Sequence, residues 1–218
     1  RSTLFPYTTL FRSPYSFNIP EINVRPKPLQ KPSPRIWVGA LASEESFRYA
    51  GRNGFNLLCS PVFGGSLAVA RDLIKIYREE LEANGFDPKS REVGALVQVY
   101  AGETQEKARD EFAEPVLWYF RTLGKYVAQK VGQADVPGYE KYSAMRDRAK
   151  AVSWDQLLAS GVVICGETDF VIEELTKVRD ETGIDHILSW TRVGGFPEEK
   201  VKEHMTRMRD RIMPALRR

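Results

Sequence analysis

Cysteine and histidine are scarce in this 218-residue chain, with two of each: Cys59, Cys165, His186 and His204. Two cysteines with no CxxC spacing exclude a disulfide framework and a thiolate metal centre. Each lies in an apolar run, FNLLC or GVVIC, which marks it as a buried thiol and fits a reducing cytoplasm. An all-histidine metal site is out of reach, and no other ligand set has metal-site spacing. Long apolar runs are missing as well; none approaches the roughly 20 residues that a membrane-spanning helix needs. Charge of one sign is also lacking, because 32 Lys+Arg stand against 29 Asp+Glu. The basic residues alternate with glutamates along helical patterns, as on a solvated face, so neither a nucleic acid nor a membrane partner follows. Known phosphate loops are absent: FGGS at 63–66 has neither the Walker lysine nor the Rossmann spacing. No serine or cysteine sits in a nucleophile elbow, so triad chemistry has no support.

What is present is ordinary globular composition, 42% hydrophobic and 28% charged, in a chain long enough for one domain with a substantial core. The first thirteen residues, RSTLFPYTTLFRS, repeat Thr-Leu-Phe, carry no acid, and read as translated adapter or vector sequence. They are set aside, and the domain is taken as 14–218. Prolines at 26, 28, 32 and 34 then hold an extended approach. From there, short apolar runs alternate with helical patterns, which predicts βα units on a parallel sheet.

The first unit is RIWVGA (35–40), read as a strand buried on both faces, and a helix from Ser43 closed by Gly51 and Gly54. The second is the strand 55–60 and a helix over about 67–83, with Ala70, Leu73, Ile74, Tyr77 and Leu81 inward and Asn84-Gly85 at its end. The third is the strand 93–100 and a helix capped by Thr104, which Pro115 is expected to bend or interrupt. A charged stretch over 125–160 reads as an insertion with its own helices. In the fourth unit 159–166 reads as a turn and a helix runs from Thr168 or Asp169 to about Thr182. Strand 184–191 follows, and then a final helix with Val201, Met205, Met208 and Ile212 on one side, stopped by Pro214.

Two hydroxyls, Ser43 and Ser46, lie beside the free N–H groups of the first helix start. That is either plain N-capping or a site for an anion such as phosphate. Trp190 ends the last strand, where it reads first as a core tryptophan and second as an aromatic wall for a ligand. Gly194 and Gly195 either make a turn or let backbone approach a ligand. Gln98 is the polar exception of its strand, facing the core of the fold or the mouth of its site. His186 reads as structural or surface, and His204 as packing on the apolar face of the last helix.

The segment VRPKPLQKPSPRIWVGA, the two hydroxyls three residues apart and the following AGRNG resemble the second half of the bacterial luciferase-like family of flavin-dependent monooxygenases. The ending GETDFVIEELTKVRDETGIDHILSW…GGFPEEKVKEHMTRMRDRIMPAL is similar to that family's last unit. The resemblance implies an α/β fold, part of a (β/α)8 TIM barrel: four βα units standing for strands five to eight, with a helical insertion before the last unit. It implies Ser43 and Ser46, with Ala42 in the same turn, at the flavin phosphate; Trp190, in its wall reading, flanks the isoalloxazine ring or the substrate. It also implies oxidation of a small organic substrate by O2 and reduced FMN from a separate flavin reductase, and a homo-oligomer for the full-length protein. A deazaflavin (F420) oxidoreductase of the same fold and a non-catalytic flavin-binding half-barrel are the alternatives. Several flavin contacts come from strands one to four in this family, so no catalytic residue is assigned. A half-barrel is expected to present two open sheet edges.

Overall fold

The computed structural model describes residues 25–31, 33–127 and 151–217. The leader at 1–13 and the central part of the expected insertion, 128–150, lie outside the described residues. The chain divides after Pro34 into two compact units, and the described residues of the first contain no helix or strand.

The second unit carries five strands, all paired in parallel: β1 (Trp37–Ala40), β2 (Asn56–Cys59), β3 (Val93–Gly102), β4 (Val163–Glu167) and β5 (His186–Ser189). The helices are α1 (Glu44–Arg52), α2 (Pro61–Gly64), α3 (Leu67–Ala83), α4 (Gln105–Val127), α5 (Trp154–Ala159), α6 (Thr168–Thr182), α7 (Glu198–Arg207) and α8 (Met213–Leu216). A π-helical turn, Met208–Ile212, joins the last two.

β3 is the organising strand. On one side the Glu92 carbonyl, just before β3, accepts from Leu57 N–H (3.0 Å), and Gln98 N–H donates to the Val162 carbonyl (3.1 Å). Its odd residues bond β5, through Asp185 N–H to Val93 O and Trp190 N–H to Val97 O, both 2.8 Å. β2 and β4 therefore follow one another along one edge of β3, with β5 on the other. Among the described residues β1 pairs only with β2 and β5 only with β3, which leaves two open edges.

Side-chain alternation splits the core in two. Val93, Ala95, Val97, Val99 and Ala101 join Leu57, Cys59 and Ile164 against α1, α3 and α6. Tyr100, Val163 and Cys165 face the other way, against Ala108, Phe112, Val116 and Phe120 of α4 and Trp154 and Leu157 of α5. The lower part of that second face is only partly covered. A Cβ built at Gly94 would lie 3.1–3.5 Å from Leu58, Trp37 and Leu188, so these side chains converge there, with Trp37 39% and Leu188 41% exposed.

Several expectations need correction. The stretch 159–166 is not only a turn: Val163–Glu167 forms β4, because the long strand β3 runs past the end of β2 and leaves its even-side groups at Gln98–Gly102 to be paired. The sheet thus has five strands rather than four. β1 is not buried on both faces, since it is an edge strand whose first residue lies on the open face. Gly51 does not close α1 but sits inside it, where its missing side chain admits α3: a Cβ would stand 2.6 Å from Glu80 Cβ and 2.8 Å from the Tyr77 carbonyl. Pro115 does not interrupt α4, which runs unbroken across it. Pro214 does not stop the last helix; it lies in α8, directly after the π-helical turn. On α7 the buried residue is His204, while Met205 is 62% exposed.

Other elements form as read. α3 spans 67–83 with the five expected residues buried, and Thr104 Oγ1 accepts from Lys107 N–H (3.2 Å) at the start of α4. Both cysteines are free and buried, and burial pushes each thiol up to about 12, so neither supplies thiolate near neutral pH. Of the expected insertion, α5 is described; Ser153 and Gln156 close a capping box at its start.

Candidate functional site

Because every strand runs the same way, the loops after β1, β2, β3 and β5 share one rim of the sheet, where strands end and helices begin. That rim is where parallel α/β barrels place their ligands.

At the end of β1, Ser43 is the N-cap residue of α1, in extended conformation (φ −82°, ψ 113°), and Ser46 N–H donates to its carbonyl (3.0 Å). The Ser43 side chain makes no capping bond, and among the described residues the Ser46 hydroxyl has no partner either. Ser43 is exposed, and Ala42 and Ser46 are half-buried. The same first turn carries Glu44 and Glu45, whose charge opposes an anion there. Both are drawn back along the helix: Arg48 holds Glu44 at 2.7 Å and Arg52 holds Glu45 at 3.0 Å. An anion at this turn therefore meets two free hydroxyl donors and carboxylates that already have counter-ions. The donor set fits a phosphate group.

At the end of β5, Trp190 is half-buried and packs edge-on against Tyr119 of α4 (centroids 4.8 Å) and, tilted, against Phe63 of α2 (6.3 Å). Its indole N–H donates to the Arg192 carbonyl at 3.3 Å. Trp190 thus builds an aromatic roof from three elements over the second face, and is held by neighbours on two sides. Gly194, at φ +56°, makes its close approach to α4, where any Cβ would collide with the Pro115 carbonyl.

The sequence left Gln98 facing either the core or the mouth, and the structure puts it on the second face of the sheet. Gln98 is fully buried with both amide atoms unpartnered among the described residues, and the buried Ser60 hydroxyl is unpartnered too. The polar interruption of VGALVQVY was the available signal for Gln98; nothing local distinguished Ser60.

His204 is not simple helix packing. Its Nδ1 accepts from Ala101 N–H (2.9 Å), where β3 has outrun β5 and an edge amide needs an acceptor. The neutral ring therefore carries its proton on Nε2, facing Ser189 Oγ at 3.4 Å. Ser189 Oγ lies 3.1 Å from Thr191 Oγ1, which donates to the Val99 carbonyl (2.9 Å). Burial, with a smaller push from the Arg207 charge, lowers His204 to about 4. A ring whose Nε2 donates toward serine cannot take that serine's proton, so Ser189–His204 is a structural chain and not a nucleophile–base pair. Nearby, Tyr100 donates to the Glu111 carboxylate, which also pairs with Lys200 (2.9 Å). Burial works to raise Glu111, but these two donors outweigh it and hold the carboxyl below its usual range. Burial first, and then the hydrogen bond to Glu111, push Tyr100 upward. Among the described residues there is no group of three or more metal-ligating side chains, and no helix is long and apolar enough to cross a membrane.

Residues 9–186 match the family model for the luciferase-like monooxygenases. The chain belongs to that family. It is 24% identical over 220 residues to the oxygenase component of the flavin-dependent trigonelline monooxygenase of Acinetobacter baylyi, covering 94% of this chain and 56% of the relative. Among solved structures, it superposes on the oxygenating constituent of 3,6-diketocamphane monooxygenase of Pseudomonas putida, in complex with FMN. The TM-score is 0.62 at 18% identity, over 84% of this chain and 49% of that one. It also superposes on the F420-dependent tetrahydromethanopterin reductase of Methanopyrus kandleri, with a TM-score of 0.56 at 14% identity over 83% and 50%. The chain spans about half the length of these relatives. These relatives are named for flavin- or F420-dependent oxidoreductases. The structural matches establish the α/β fold with a parallel sheet and TIM-barrel neighbours.

Proposed function

We propose that this chain forms the C-terminal half of a flavin-dependent (β/α)8 monooxygenase, with β1, β2, β3 and β5 as barrel strands five to eight and β4 an added strand at the rim. It would oxidise a small organic substrate with O2. The trigonelline relative is named as an oxygenase component, which supports a separate flavin reductase as partner. The observation that carries the reading is the open, parallel, apolar-faced sheet whose strand ends converge on one rim.

In this reading Ser43 and Ser46 donate hydroxyl hydrogen bonds to the FMN phosphate at the start of α1, with Ala42 in the same turn. Arg48 and Arg52 restrain the adjoining carboxylates. Trp190, with Phe63 and Tyr119, walls the rim and excludes water. When bound, reduced flavin supplies the electrons for oxygen chemistry, and this chain's residues hold and shield it. A deazaflavin reading keeps the same phosphate turn and aromatic wall; the likeness to the F420-dependent reductase favours it as the second choice. The site residues themselves, and the use of FMN rather than F420, rest on this proposal.

Titration of the protein with FMN and with riboflavin, followed by flavin fluorescence, tests it. We expect FMN to bind more tightly, and the S43A/S46A double substitution to erase about tenfold of that preference, as loss of one or two hydrogen bonds to a charged group would. Equal affinity for the two ligands in the unsubstituted protein would refute the phosphate assignment.

A further inference from the structure

Gln98 is fully buried, yet neither its amide oxygen nor its amide nitrogen has a partner among the described residues. A carboxamide withdrawn from water with both ends unsatisfied is costly, and native cores rarely keep one without use. Its surroundings indicate that use. Gln98 lies on the same face of β3 as Gly94 and Leu96, two and four residues before it. This is the face where Leu58, Trp37 and Leu188 converge, away from the layer of α1, α3 and α6. Across the β3–β5 ladder Val97 pairs with Ser189, and Trp190 N–H continues the ladder onto Val97, so Trp190 is the cross-strand neighbour of Gln98. On the other side Cys59 pairs with Ala95, which places Ser60, with its own unpartnered hydroxyl, at the end of β2 on the same face. Orphaned polar atoms from two strands thus lie on one face of the sheet, the face that Trp190 borders at the end where strands give way to helices.

We propose that Gln98 is a ligand-contacting residue whose carboxamide takes the paired N–H and C=O of an imide or lactam, such as the pyrimidine edge of a flavin or deazaflavin ring. Ser60 supplies a further hydroxyl beside it. The carboxamide is self-complementary to such a group: Oε1 accepts from the ring N–H while Nε2 donates to the adjoining carbonyl. The three aromatic side chains suit the flat ring that carries that edge. The inference rests on the reading of this rim as the flavin site, and it adds what holds the ring rather than the phosphate.

The test pairs stability with binding, using lumiflavin, which keeps the imide edge and lacks the phosphate, and N3-methyl-lumiflavin, whose imide donor is blocked. Gln98→Leu should leave the protein at least as stable in urea, since it removes two unsatisfied atoms at similar volume. It should weaken lumiflavin about tenfold and leave the already weak N3-methyl-lumiflavin unchanged. A clear loss of stability in Gln98→Leu would show that the amide is paired within the fold, and would overturn the proposal. Unchanged lumiflavin affinity, or no lumiflavin binding by the unsubstituted protein, would overturn it as well. A Gln98 effect on lumiflavin with no FMN preference over riboflavin would keep this proposal and refute the phosphate assignment. The opposite pattern would refute Gln98 alone.

Discussion

Acid should weaken this fold well above the range in which carboxylates titrate, through His204. The ring is buried, its Nδ1 is committed to Ala101 N–H, and its Nε2 already carries the proton that faces Ser189. A second proton would have to enter at Nδ1, breaking the bond to Ala101 and placing charge in a buried site near Arg207. The ring accordingly titrates at about 4 in the folded chain, against 6.5 when free. The unfolded state binds the proton first, so stability rises with pH across this interval. The contribution is complete above about pH 6.5, shrinks as pH falls, and is gone below about 4. At about 1.4 kcal/mol per pH unit the whole interval is worth on the order of 3 kcal/mol, of which about 2 kcal/mol is lost between pH 7 and 5. Urea unfolding followed by tryptophan fluorescence at half-unit steps from pH 7.5 to 5 measures it. His204→Asn keeps an acceptor near the Nδ1 position but cannot be protonated there, so its midpoint should stay nearly flat over that range. A flat profile in the unsubstituted protein, or a parallel decline in His204→Asn, would show that the buried neutral ring is not the source.

Two further substitutions probe how the layers are held. Gly51→Ala, which in an ordinary helix interior stabilises by up to about 1 kcal/mol, should here destabilise by about 1–3 kcal/mol, because its methyl would meet Glu80 Cβ and the Tyr77 carbonyl at under 3 Å. Thermal unfolding reads the sign, and a raised midpoint would mean that α1 and α3 can separate freely. Asp185→Ala should cost about 1–3 kcal/mol, since Asp185 Oδ2 accepts from Val93 N–H (2.8 Å) and pairs with Arg78 (3.3 Å) at the start of the β3–β5 ladder. Amide exchange at Val93 should then rise more than at Val99; equal protection at both would remove Asp185 from that role.

The periodic elements were legible because their determinants are local. The inward stripe of α3 follows from residues three and four apart, and Asn84-Gly85 ends the helix by its own backbone preference. Both cysteines announced their burial through apolar neighbours. The family resemblance was legible in two blocks of sequence, and with it the turn holding Ala42, Ser43 and Ser46. Position within a tertiary arrangement decided the rest. RIWVGA reads as a buried strand, but burial depends on what pairs with the far edge, and among the described residues nothing pairs there. GVVIC carries a strand signal in Val162, Val163 and Ile164, but its partner is distant: β3 continues beyond β2 and leaves hydrogen-bonding groups that β4 meets. Pro115 and Pro214 look like breaks, yet helix continues across both. Chemical character belongs to this second class. His204 is an ordinary residue on an amphipathic helix until the unequal lengths of β3 and β5 expose the Ala101 amide to it, and Gln98 is one polar letter in an apolar strand until burial leaves both its amide atoms without a partner among the described residues. The order of residues along the chain fixes which backbone can form. Which groups are left without water or a partner is set only when distant segments are brought together.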